Sequence, residues 1–80
     1  MGEDYRAVAL KLRRFFREHP TRAHAAECVS VCDEWLTLMD AEESSSARVE
    51  ALVARAAQAG SGGTAAFEIA FYVEWWARSR

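Results

Sequence analysis

Apolar residues recur along this chain at the spacing of helix faces, in four segments separated by polar or glycine-rich breaks. In the first, roughly 3–18, Tyr5, Val8, Leu12, Phe15 and Phe16 build one stripe. Glu3 and Asp4 stand at its start and Arg17 near its end, where the helix dipole favours each sign, and Pro20 stops it. Thr21 is the expected cap of a second helix, roughly 22–40. Its apolar face carries Ala25, Cys28, Cys32, Trp35, Leu36 and Met39, flanked by Val29, Val31 and Leu38, with Glu27, Ser30, Glu34 and Thr37 opposite. After the connector DAEESSS, Ser46 is placed to cap a third helix, roughly 47–59, that presents Val49, Leu52, Val53 and Ala56. GSGG at 60–63 breaks the pattern, with Gly60 suited to the left-handed position after a helix end, and Thr64 then caps a last helix, roughly 65–78.

No run alternates as a strand would, and no internal repeat stands out. The pattern therefore predicts an all-α chain, a single domain over 1–80 built as a small antiparallel four-helix bundle. Composition makes that bundle thin. Of 80 residues 51% are hydrophobic, but 16 are Ala, so few large side chains are left to fill a core. A chain of this size is marginal on its own core and often gains from an oligomeric or bound partner.

The last helix breaks the simple pattern. Five of the nine aromatic residues lie between Phe67 and Trp76. At about 100° per residue, Ile69, Val73 and Trp76 with Ala66, Ala70 and Ala77 form one apolar face. Phe67, Phe71 and Trp75 form a second, bordered by Glu68, Glu74 and Arg78, and Tyr72 lies between the two. A helix apolar on two sides is either surrounded by its own fold or contacts a second object, and a four-helix bundle surrounds none of its helices. Aromatics ringed by charges have the composition of an interface centre. One face should build the core and the other should bind a protein, either a second copy in a homodimer or a larger partner.

Charge adds an asymmetry to a net value of −2. Residues 1–22 hold six of the ten basic residues against three acids, whereas 23–50 hold seven acids and one Arg. Arg6, Arg13, Arg14 and Arg17 form a basic strip on the first helix, able to orient an acidic partner or to face the acidic second helix within the bundle. The overall balance, and a third helix offering only Arg48, Arg55 and Gln58 to base edges, speak against nucleic acid as the ligand. A nucleic-acid accessory protein using the strip remains a lesser alternative.

His24, Cys28 and Cys32 read H-x3-C-x3-C, a line of metal-capable side chains one turn apart. The run HAAECVSVCDEWL resembles the H-x3-C-x2-C segment of zinc-type anti-sigma factors, with one more residue between the cysteines. That resemblance implies a metal- or redox-responsive regulator as a second alternative. Zinc ligands converge at about 2.0–2.3 Å, whereas three positions on successive turns of a straight helix spread over about 12 Å. The cysteines are therefore expected in the core as small apolar residues, without a metal or cofactor.

Neither His has a Ser or Asp partner at a diagnostic spacing, Ser44, Ser45 and Ser46 read as a loop and cap, and Glu68 and Glu74 point about 120° apart. Bond chemistry is not expected. No apolar run approaches the roughly 18 residues of a membrane span, and the charged start MGEDYR does not read as a secretory leader, so a cytoplasmic location with no membrane contact is the default. These features suit a module that binds, adapts or inhibits a larger complex, as accessory chaperones, antitoxins and phage or mobile-element inhibitors do.

Overall fold

The computed structural model describes residues 4–41 and 45–80. They form four α-helices and one short 3-10 turn: α1 Tyr5–Glu18, α2 Ala25–Asp40, α3 Ser46–Ala59, the turn Gly60–Gly62, and α4 Thr64–Arg78. Glu3, expected in the first turn of α1, and Glu42, Glu43 and Ser44 of the connector lie outside the described residues.

The helix starts follow local chemistry with three corrections. Asp4 caps α1 by accepting a hydrogen bond from the Ala7 N–H at 3.1 Å. Ser45, not Ser46, caps α3, its hydroxyl accepting from the Arg48 N–H at 3.1 Å. Within a run of serines the sequence does not choose between neighbours. Thr21 caps nothing. After Pro20 the chain turns twice, with the Arg22 N–H bonded to the His19 carbonyl and the Ala25 N–H to that of Arg22, and α2 begins at Ala25. His24 precedes it in the left-handed conformation at φ 60°. A tertiary contact accompanies this start: a β-carbon on Gly62 would lie 2.8 Å from the His24 ring, so the 60–62 turn packs directly on it.

The glycines exchange roles. Gly60, expected left-handed, is right-handed at φ −61° and continues α3 into the 3-10 turn. Its missing side chain is used for approach, because a β-carbon there would stand 3.0 Å from that of Ala70 on α4. Gly63 makes the break instead, at φ 140° and ψ −176°, a region essentially confined to glycine. With the break placed there, Thr64 becomes the first residue of α4 and caps nothing.

Consecutive helices run in opposite directions, as their pairing order shows. Arg6 pairs with Asp40 and Arg13 with Asp33 between α1 and α2, while Arg55 pairs with Glu27 and Arg48 with Glu34 between α2 and α3. Gly60 faces Ala66 and Ala70, whereas Val49 and Glu50 share a depression with Ala77 and Arg78. The bundle is not square. Among the described residues α2 and α4 touch each other as well as both neighbours, while α1 and α3 do not meet. The cross-section is thus a rhombus with α2 and α4 on its short diagonal.

That arrangement explains which residues are buried. Trp35 is fully enclosed, its ring 6.3 Å from those of Tyr5 of α1 and Trp76 of α4. Its indole Nε1 has no hydrogen-bond partner among the described residues. Val31 and Leu38, expected only to flank the α2 face, are as buried as Cys28 and Cys32, because α2 packs on three helices and needs a wider apolar arc. Leu12, Phe16 and Ala9 from α1, Leu52 and Ala56 from α3, and Ile69, Val73 and Trp76 from α4 complete the core.

Replacing Gly63 by Ala should lower unfolding stability by about 1–3 kcal/mol, since the new β-carbon is strained at this backbone conformation although space around it is open. Urea denaturation of Gly63→Ala beside Gln58→Ala, an exposed site expected within about 0.5 kcal/mol of the parent, checks this.

Candidate functional site

α4 resolves its two faces. Ile69, Val73 and Trp76 are turned into the bundle, and Ile69 and Val73 have no exposure at all. Phe67, Phe71 and Trp75 are turned away and keep 61%, 46% and 55% of their surface in solvent. The rings form one contiguous patch, with Phe71 5.5 Å from Trp75 and 5.3 Å from Tyr72 between centroids. Glu74 and Arg78 pair at 2.6 Å along the edge of the patch. Glu68 lies at the other edge, sharing a small depression with Val8, Lys11, Leu12 and Tyr72 at the α1 seam. All six residues expected at the contact surface therefore lie on or beside one exposed face.

Sequence reading missed the neighbouring wall. A groove of about 410 Å³ runs beside the patch, lined by Val53 and Ala57 of α3, Gly60 and Ser61 of the turn, and Phe67, Ala70, Phe71 and Glu74 of α4. Small residues keep α3 and α4 close there, and the available signal was the pairing of Gly60 with Ala70, visible only once both helices are placed. A second depression of about 160 Å³ lies within the patch, lined by Phe71, Glu74, Trp75 and Arg78.

Because α2 and α4 hold equivalent corners of the rhombus, α2 is an internal control for what an outer face needs. Its outer side carries Ala26, Ser30 and Thr37, all exposed, with Asp33 and Glu34 beside them. Packing does not demand aromatics at this position, so the stripe on α4 needs a reason outside the fold. Patches of this kind on small proteins are commonly binding surfaces.

The basic strip is largely occupied. Arg6 is paired with Asp40, Arg13 with Asp33 at 2.9 Å, and Arg14 with Glu18 at 3.3 Å. Arg17 makes no ion pair among the described residues, and Arg22 sits 5.0 Å over the Phe15 ring, which also stacks on His19 at 4.5 Å. Three of the four strip arginines thus face carboxylates, two of them on α2.

His24, Cys28 and Cys32 are not gathered at one point. The cysteines are free and fully buried, while His24 is exposed at the start of α2 with its ring against Gly62. Among the described residues no three His, Cys, Asp or Glu side chains are grouped to hold a metal ion. Burial, helped by the adjacent carboxylate of Glu27, raises the Cys28 thiol. Cys32 is pushed up to about 12 by burial, then by Cys28 and Asp33, with Arg13 pulling weakly the other way. Both thiols are therefore neutral at physiological pH, poor nucleophiles and poor metal ligands.

No helix among the described residues is long and apolar enough to cross a membrane. Compared with known proteins, the chain matches no family model, no curated protein and no solved structure.

The folded protein holds the Cys32 proton more tightly than the unfolded chain does. This thiol therefore favours folding below its ordinary pKa of 9.0, and that contribution is lost as pH rises from there toward about 12. Unfolding free energy should fall across this window, with up to about 1.4 kcal/mol per pH unit due to Cys32. Urea titrations of the parent and of Cys32→Ala, compared from pH 8 to 11, should show a shallower decline in the variant.

Proposed function

We propose that this chain is a small non-enzymatic interaction module that binds, adapts or inhibits a larger protein assembly through the outer face of α4. One observation carries the reading: Phe67, Phe71 and Trp75 lie side by side in solvent, on a helix whose core face is already supplied by Ile69, Val73 and Trp76. Burying such rings is worth about 1.5–3 kcal/mol each, a driving force that the isolated fold leaves unused. Glu68, Glu74 and Arg78 at the edges would set orientation more than affinity. The groove beside Val53 and Ala57 would admit an apolar side chain from the partner.

The alternatives gain less from the geometry. A thiol-based regulator needs accessible thiolate, and Cys28 and Cys32 are buried with raised pKa values. A nucleic-acid protein needs free cations, and Arg6, Arg13 and Arg14 face carboxylates. We place the protein in the cytoplasm, where two unbridged cysteines are at home.

Affinity capture from the native host tests the reading. Phe71→Glu with Trp75→Glu should remove the proteins retained by the parent while leaving helical content intact, at a cost of about 1.5–3 kcal/mol in unfolding stability for two half-covered rings. Equal retention by parent and variant would show that the contact lies elsewhere.

A further inference from the structure

Outside α4, Leu10 is the one large apolar side chain left exposed among the described residues, with 40% of its surface in solvent. Its neighbours on the surface of α1 stand four residues before it and three, four and seven after it, and all are arginines: Arg6, Arg13, Arg14 and Arg17. Leu10, Arg13, Arg14 and Arg17 line a depression of about 440 Å³ together with Glu18. This surface is separate from the outer face of α4. Val8 borders α4 in the depression it shares with Glu68 and Tyr72, and Leu10, two residues on, is turned about 160° away from it at about 100° per residue.

The ion pairs of the strip leave its outer side open. Arg6 and Arg13 each engage a carboxylate of α2 through one Nη, and the other nitrogens of each guanidinium carry further N–H donors. Arg14 reaches only Glu18 of its own helix, at 3.3 Å and with 81% of its side chain exposed. Arg17 has no ion pair among the described residues. An exposed pair such as that of Arg14 and Glu18 holds weakly, so an incoming carboxylate displaces Glu18 at little cost.

The fold already contains a sample of what this strip accepts. α2 lies antiparallel along its inner edge and presents Asp40 to Arg6 and Asp33 to Arg13, carboxylates seven residues apart against arginines seven residues apart. Leu10 and Arg17 repeat that spacing on the outer edge, with Arg14 between them. We infer that this outer edge is a second docking surface, and that its occupant is an acidic helix of a partner protein laid antiparallel to α1 as α2 is. Such a helix meets Arg17, Arg14 and Leu10 with a carboxylate, a second carboxylate three residues on, and an apolar side chain four residues after that. Those spacings place all three on one helix face.

Charge and the apolar centre together choose this occupant. A nucleic-acid backbone offers phosphates but no apolar group to cover Leu10, needs a longer run of unpaired cations than Arg14 and Arg17 supply, and is opposed by the net charge of −2. An apolar helix without acids would strip water from the two guanidiniums and give nothing back. The contact is small and its ion pairs are exposed, so the dissociation constant for an isolated helix is on the order of 0.1–1 mM. Its effect in a larger complex is on orientation and the rate of encounter.

A proton–nitrogen NMR titration of the full chain tests the inference. The probe is an alanine-based helical peptide of about 20 residues carrying Glu-x2-Glu-x3-Leu, and the control is an isomer of the same composition with both Glu on the face opposite Leu. The probe should shift amide signals centred on residues 10–18, and the isomer should bind about tenfold more weakly. Arg14→Gln with Arg17→Gln, at exposed sites where the dispersion of the spectrum reports an intact fold, should raise the dissociation constant about tenfold, and Leu10→Gln about threefold. Equal binding of the isomer, or binding that survives the Arg14 and Arg17 variant, would overturn the acidic helix as occupant. So would shifts centred on Phe67, Phe71 and Trp75, or a single-stranded DNA of the same charge that binds the strip more tightly than the peptide. The reading of the α4 face stands or falls separately, by capture with the Phe71 and Trp75 variant.

Discussion

The contact of Trp35 with Trp76 across the short diagonal of the bundle sets the geometry on which the other features depend. Their rings stand 6.3 Å apart, one fully enclosed and the other nearly so. Bringing α2 and α4 together in this way keeps α1 and α3 apart and makes the cross-section a rhombus. It also fixes the rotation of α4 about its own axis. At about 100° per residue, a helix that turns Ile69, Val73 and Trp76 inward must turn Phe67, Phe71 and Trp75 to the opposite side. The exposed aromatic face is thus a consequence of how the core is made.

The ion pairs act on direction and register. α2 offers carboxylates seven residues apart along each flank, Asp33 and Asp40 toward α1 and Glu27 and Glu34 toward α3. Arginines with the same separation answer on each neighbour, Arg6 and Arg13 on one side and Arg48 and Arg55 on the other. Exposed pairs of this kind contribute about 0–1 kcal/mol each, less than one well-buried side chain. A sliding or reversed neighbour would, however, set like charges together or leave all four acids unpaired. The asymmetry of a basic first helix and an acidic second is in this way used inside the fold, which leaves the aromatic face of α4 as the surface with the largest unmet demand.

Much of the fold was legible in the residues. Four periodic segments with polar or glycine breaks gave four helices, and a wheel of the last segment separated its two faces. What was not legible depended on neighbours. Thr21 has the chemistry of a cap, but α2 starts after His24, whose ring lies against Gly62. Gly60 has the composition of a left-handed stop, yet its place against Ala70 uses its size, and Gly63 makes the break. Val31 and Leu38 look like flanks until α2 is seen to pack on three helices. The same holds at the site. Phe67, Phe71, Trp75 and their charged edges could be named from the sequence, but which face of α4 is outside, and the wall made by Val53 and Ala57, required the other helices to be in place.

The functional reading therefore rests on a division of labour within one helix: one face builds the core, and the opposite face is free to bind. Unfolding free energies of Ile69→Ala and Phe71→Ala, measured by urea denaturation in dilute protein where self-association is absent, test that division most directly. Ile69→Ala should cost about 2–5 kcal/mol, and Phe71→Ala, whose ring is only about half covered, should cost about 1–1.5 kcal/mol. The reverse order, with Phe71 indispensable and Ile69 replaceable, would place the aromatic stripe in the core and contradict the account.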